Sequence, residues 1–113
     1  KVHFAAPNEA CLQAYADGAR IGHITWGISY FWGNVHEPST LRVDPAFTRR
    51  GIATALWREA QRHDPALEHS EVRTDDGDAW ARSTGDPLPK YRFKAEEERV
   101  RFFREHPEAM EDA

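Results

Sequence analysis

One cysteine, Cys11, and one methionine are all the sulfur in 113 residues. A lone thiol closes no internal disulfide, and no Cys/His array of structural-zinc type is present, so no metal site is expected. No apolar run approaches the roughly 18 residues that a membrane span needs. An excess of basic charge is missing too: 15 Lys and Arg stand against 19 Asp and Glu, a formal net charge of −4. That balance argues against a broad nucleic-acid binder. Internal repeats and low-complexity linkers are absent. What remains is ordinary: 40% hydrophobic and 30% charged residues. A chain of this size buries about two thirds of its unfolded surface, enough for one modest core. It begins at Lys1 with no secretory h-region, which reads as a processed or trimmed chain of a reducing, cytoplasmic compartment.

Hydrophobic alternation and turn chemistry predict an α/β (α+β) fold. Residues 2–6 read as a strand and residues 7–10 as a turn. Residues 11–16 alternate as a second strand, and Asp17-Gly18 is a strong hairpin signal. Residues 20–26 form a third strand. The aromatic, glycine-bearing stretch 27–38 has no clear period, and residues 39–43 read as a strand stopped by Asp44-Pro45. After a basic loop, residues 51–63 show a helical stripe of Ile52, Ala55/Leu56, Ala60 and His63. Residues 67–74 are short enough for a strand. Thr74 followed by Asp75 and Asp76 starts a helix that Gly85 closes. Residues 95–105 form a last helix. Its adjacent Phe102 and Phe103 cannot share one helix face, which points one of them at a partner. Residues 1–106 are expected to form one compact domain, and residues 107–113 to fray.

Charge is uneven along the chain. Residues 46–66 hold Arg49, Arg50, Arg58 and Arg62 against Glu59 and Asp64, a local excess of +2 in an acidic protein. The stretch from Ser39 to Trp57 explains why an anion fits there. A strand ends, a basic turn follows, and glycine opens a helix whose first turn is small. First-turn N–H groups lack intrahelical acceptors, and the helix dipole adds positive potential. Gly51 and Ala53 let phosphate oxygens reach the backbone, and Arg49 and Arg50 add charge-assisted contacts.

The run LRVDPAFTRRGIATAL, residues 41–56, resembles the acetyl-CoA-binding motif of the GNAT N-acetyltransferase superfamily. That motif is a strand ending in V-x-P, then Arg/Gln-x-x-Gly-x-Gly/Ala opening a helix. Val43 and Pro45 match the strand end, and Gly51 and Ala53 match the two small positions. Thr48 stands where Arg or Gln is usual. The hairpin with Asp17-Gly18 and Gly22 and the stretch 67–85 are similar more loosely. Residues 69–89 also resemble small acetyltransferase-like proteins of actinobacteria and their phages. The resemblance implies a compact, mixed, mostly antiparallel sheet with a strand-loop-helix cradle and two or three helices. It implies acetyl-CoA held by Leu41, Val43, Thr48, Arg49, Arg50, Gly51, Ile52, Ala53 and Thr54, and an amine acceptor, either a small molecule or a protein.

Two parts of the family pattern are missing. The helices between its first two strands, which wall the acceptor side, have no room in residues 7–10. The family's tyrosine acid falls on Ala81. Direct acetyl transfer needs a base for the amine and a proton for the departing thiolate. His36 and Glu37 precede the motif strand, while His69 and Glu71 lie on the segment after the helix. His69 is the best placed by chain order, Glu37 is a second base, and Ser70 is a candidate acid. Tyr30, Phe31 and Trp32 suit an acceptor pocket or, more readily, core or an interface with a second copy or another chain. A non-catalytic acyl-CoA-binding or interaction module on the same scaffold is the alternative to an enzyme.

Overall fold

Four strands in chain order make one antiparallel sheet. They are β1 (Val2–Asn8), β2 (Cys11–Ala16), β3 (Ala19–Ser29) and β4 (Val35–Val43), ordered β1-β2-β3-β4. The computed structural model describes residues 1–112. Its contacts group into two compact units, Lys1–Leu67 and Glu68–Ala113. The first unit holds the sheet and helix α1 (Ile52–His63). The second holds α2 (Asp75–Ser83) and α3 (Glu96–Glu105). Sheet and helices together make the α+β fold expected of the sequence.

The β2–β3 hairpin turns through Asp17 and Gly18, both at positive φ (52° and 80°), as an Asp-Gly turn of the primed type requires. The stretch without a clear period belongs to the sheet: β3 runs on to Ser29 and β4 starts at Val35. The turn between them places Gly33 and Asn34 at φ 86° and 60°.

Register decides which side chains meet the helix. Leu12 pairs with Ile24, Ile24 with Leu41, and Gly22 with Val43. Cross-strand partners share a face, so these residues form one apolar face. Leu12, Ala14, Ile24 and Trp26 on it are buried. Between the pairs Trp26↔Pro38 and Thr25↔Thr40 the register slips, leaving Ser39 as an extra residue in β4. Without this bulge Arg42 would turn toward the helix and Leu41 away, because a one-residue slip inverts a strand.

Helix α1 lies on that face through Ile52, Leu56, Trp57 and Ala60, all buried. The stripe expected through His63 therefore ends earlier and includes Trp57; His63 is exposed. The close approach depends on Gly22. A Cβ there would stand 2.9 Å from the Arg42 carbonyl oxygen and 3.3 Å from Leu56 Cδ1. Gly22→Ala should therefore cost about 1–3 kcal/mol, the usual penalty of overpacking. Urea denaturation measures it.

Residues 67–74 are not a strand. Two isolated parallel bridges, His36↔Leu67 in the first unit and Val72↔Phe93 in the second, are what form there. Thr74 caps α2 as expected, its hydroxyl accepting the Gly77 N–H. Phe103 is buried and Phe102 half-buried. Both stand against Tyr91 (5.2 and 5.5 Å between ring centres) and Phe93 (5.4 and 5.8 Å). Rings as large as these reach one cluster from two helix faces. Pro107–Asp112 forms a 3₁₀ turn with Ala109 buried, whereas a frayed tail is expected from the sequence. Ala113 lies outside the described residues.

Candidate functional site

The turn between β4 and α1 is built by local hydrogen bonds. Asp44 Oδ1 accepts the Ala46 N–H and caps a 3₁₀ turn, Pro45–Phe47. The Thr48 hydroxyl donates back to the Pro45 carbonyl at 3.1 Å. Thr48, at the position that departs from the motif, thus closes the turn itself. Two residues then adopt the left-handed conformation, Arg49 at φ 62° and Gly51 at φ 79°. Glycine does this freely. A non-glycine residue there stores strain of order 1 kcal/mol, and such strain gathers at ligand sites.

Gly51 is the N-cap of α1 and provides no side-chain cap, and the first turn of the helix has no acidic residue. Gly51 brings no capping oxygen and the first turn no carboxylate to compete for an anion at the helix N-terminus, the condition for anion binding. A Cβ on Gly51 would meet nothing within 4 Å, so the approach is open. Arg49 and Arg50 are exposed, and the Arg50 guanidinium lies over the Phe47 ring at 5.3 Å. These features fit a diphosphate group: the helix dipole and backbone donors lie next to two exposed cations. Ile52 is buried beneath the turn, while Ala53 and Thr54 are half-buried on it.

Leu41 and Val43 lie on the helix-facing side of β4, half-buried. Glu37 is on the other side, half-buried, opposite Gly27. Its neighbour His36 turns toward the helix end, where its Nδ1–H donates to Asp64 Oδ2 at 2.7 Å. Asp64 caps α1 and also accepts the Ala66 N–H through Oδ1. No sequence signal links positions 36 and 64. Their meeting follows from the helix running back along the strand.

His69 and Ser70 belong to the second unit. His69 is 2% exposed, edge-on to Trp80, with Nε2 2.9 Å from Thr84 Oγ1. The Thr84 hydroxyl spends its one proton on the Ala81 carbonyl at 2.7 Å. Oγ1 must therefore accept from His69, and Nε2 carries a proton. The case for a base at His69 rests on an accessible strand position, and the structure has a buried turn residue there. The Ser70 hydroxyl oxygen accepts the Val72 N–H at 3.0 Å and closes that turn. Ala81, at the family's tyrosine position, is fully buried.

Around these residues lies an ion network with no sequence signal beyond its spacing. Asp78 Oδ1 accepts from Arg73 Nε and Nη2 (3.0 and 2.9 Å), and Oδ2 accepts from Arg82 Nε (2.9 Å). Arg73 also donates to the Ser70 carbonyl. Among the described residues no cluster of three or more His, Cys, Asp or Glu could hold a metal ion, and no helix is long and apolar enough to cross a membrane.

Residues 1–82 match the model of the acetyltransferase (GNAT) family. The chain belongs to this family. Solved GNAT structures share its fold. One is AAC(6')-Iy in complex with a bisubstrate analogue, CoA-S-monomethyl-acetylneamine, at 20% identity and a TM-score of 0.55 over 75% of this chain and 69% of that one. A second is the aminoglycoside antibiotic 6'-N-acetyltransferase AAC(6')-IG from Acinetobacter haemolyticus, at 21% identity and a TM-score of 0.55 over 79% and 74% of the two chains. A third is the diaminobutyrate acetyltransferase EctA from Paenibacillus lautus, in complex with L-2,4-diaminobutyric acid and coenzyme A. It is 20% identical, with a TM-score of 0.54 over 66% of this chain, which spans about half (47%) of its length. At these identities the likeness is one of fold. A comparison with curated proteins gives no match.

Proposed function

We propose that this chain is an acetyl-CoA-dependent N-acetyltransferase that acts on a primary amine. One observation carries the reading: the acid-free N-terminus of α1, opened by a glycine and presented by the left-handed pair Arg49 and Gly51 with open space above Gly51. In this reading residues 48–54 hold the diphosphate of CoA, with Arg49 and Arg50 beside it. Leu41 and Val43 line the path of the pantetheine arm along β4. The neighbours solved with CoA or a CoA analogue support the choice of this ligand over other diphosphates.

Bound acetyl-CoA supplies the activated acetyl group. Glu37 supplies the base. It stands six residues before Val43, roughly 20 Å back along the strand at about 3.3 Å per residue. That is about the reach of an extended pantetheine arm, with the carboxylate on the other side of β4 from Leu41 and Val43. Its carboxylate takes the proton of the incoming ammonium, directly or through one water. His69 is less suited to this role, because it is 2% exposed and its Nε2 is bonded to Thr84. A non-catalytic acyl-CoA-binding module is favoured by one specific observation, the buried Ala81 where the family's acid would stand.

Arg50→Ala should weaken acetyl-CoA binding by about 1–3 kcal/mol, the loss of one charge-assisted contact. Titration calorimetry reads this. A thiol-release assay over a panel of amines separates the two readings. Turnover of any amine supports the enzyme, and tight binding without thiol release supports the module.

A further inference from the structure

We propose that His36, oriented by Asp64, is the proton shuttle of the acetyl transfer: it takes a proton from the acceptor nitrogen and delivers it to the departing sulfur. The inference rests on the reading of the chain as an acetyltransferase and adds the group that stands in for the tyrosine missing at Ala81. His36 Nδ1–H donates to Asp64 Oδ2 at 2.7 Å, and the two side chains are 27% and 19% exposed. Asp64 is itself fixed. Its Oδ1 accepts the Ala66 N–H, its own N–H donates to the Ala60 carbonyl at 2.8 Å, and its carbonyl accepts the Leu67 N–H at 3.0 Å. The carboxylate therefore comes to the ring already aimed. With the proton held on Nδ1, the neutral ring keeps its lone pair at Nε2. Nε2 has no partner among the described residues. A histidine oriented by a carboxylate, with its second nitrogen free and within reach of solvent, is the arrangement of a group that accepts and returns a proton.

Register puts this histidine on the side of β4 given to the pantetheine arm. Leu41 pairs with Ile24, and across the Ser39 bulge Pro38 pairs with Trp26 and His36 with Ile28. Ile24, Trp26 and Ile28 alternate along β3 on one face, so His36 shares the side of Leu41 and Val43. Its bond to the C-terminal end of α1 agrees with that placement. Glu37 is on the other side. His36 stands seven residues before Val43, roughly 20–23 Å at about 3.3 Å per residue, the same reach as Glu37. Because β4 is the edge of the sheet, a group lying along that edge is met by side chains from both faces. Glu37 and His36 then divide the protons. Glu37 takes the first proton of the ammonium. His36 Nε2 takes the second, which the nitrogen sheds as its bond to the acetyl carbon forms. When the carbon–sulfur bond breaks, its electron pair leaves on sulfur and Nε2 returns the proton there. The amide and the CoA thiol result, His36 is neutral again, and no separate acid is needed. While the ring carries the extra proton, the Asp64 carboxylate balances its charge.

The test has two parts. The first needs no substrate. Nitrogen-15 shifts of the neutral His36 ring in the full chain should show the proton on Nδ1 and none on Nε2. In Asp64→Asn they should show it on Nε2, because the amide nitrogen at the place of Oδ2 donates to Nδ1. The second part is thiol release from acetyl-CoA with 2-phenylethylamine, 2,4-diaminobutyrate and kanamycin. With an amine that the wild type accepts, His36→Ala should lower turnover by about 10²–10⁴-fold, and Asp64→Asn by about tenfold or more, while acetyl-CoA still shifts the amides of residues 49–53. Added imidazole should restore part of the turnover of His36→Ala, which a merely structural loss would not allow. A neutral wild-type ring protonated at Nε2 overturns the proposal. So does a loss of turnover in His36→Ala that imidazole leaves untouched. If His36→Ala does not fold, the wild-type tautomer and Asp64→Asn decide. Equal turnover in the wild type and His36→Ala removes the shuttle and leaves the acetyltransferase standing. A wild type that binds acetyl-CoA but releases thiol with no amine overturns the enzyme reading and the shuttle with it.

Discussion

Asp78→Ala should unfold the second unit before any other single carboxylate change does. Arg73 is 8% exposed, and Asp78 Oδ1 accepts from two of its nitrogens. Without that carboxylate a guanidinium stays buried and uncompensated. Orphaning a buried charge of this kind costs about 3–5 kcal/mol, which is a large share of the stability of a small protein. Asp75→Ala is the control. Its carboxylate bonds Arg92 at 2.9 Å but is 76% exposed, and exposed pairs contribute little. Thermal unfolding followed by circular dichroism should show a large drop in Tm for the first variant and a small one for the second. Equal drops would remove the network from the account.

The same carboxylate sets the acid limit. The hydrogen bond from Arg82, and after it the one from Arg73, holds the Asp78 carboxyl below its ordinary value of 3.8. The hydrogen bond from Arg92 does the same for Asp75. A group whose folded value is depressed stabilises the fold above its unfolded value, and that stability is lost as the pH falls through the folded one. Stability should therefore fall as the pH drops below about 4. In Asp78→Asn that acid limb should be shallower.

The largest effect on chemistry is expected at Glu37. Glu37→Gln keeps the shape of the side chain and removes its ability to take a proton. Turnover should fall by about 10²–10⁴-fold, the usual worth of a general base. Acetyl-CoA affinity should not change, because the diphosphate site lies at the other end of β4. Full activity in Glu37→Gln, measured by thiol release with an amine that the wild type accepts, would move the base elsewhere on the chain.

Much of this architecture is legible from local chemistry. The Asp17-Gly18 turn, the stop at Asp44-Pro45, the helix opening at Gly51 and the Thr74 cap each depend on a few neighbouring residues, and each appears in the structure. What escaped depends on contacts distant in sequence. Stretch 27–38 has no simple period because it joins the end of β3, a turn and the start of β4, and the single residue inserted at Ser39 just beyond it leaves no compositional mark. Trp57 beside Leu56 looks like a departure from a narrow stripe, yet a helix lying close over Gly22 buries both. His69 illustrates the limit for chemistry. Its residue type suits a base, but only the Thr84 hydroxyl, 15 positions on, shows which nitrogen holds the proton. The proposed diphosphate site is local, because backbone donors, a glycine and two arginines sit within a few residues of one another.

Titration calorimetry of the full chain with acetyl-CoA, paired with amide shifts, tests the central claim most directly. The account predicts saturable binding below millimolar concentration, with the largest shifts at Arg49, Arg50, Gly51, Ile52 and Ala53. Absence of heat and of shifts in those residues at millimolar acetyl-CoA would contradict it.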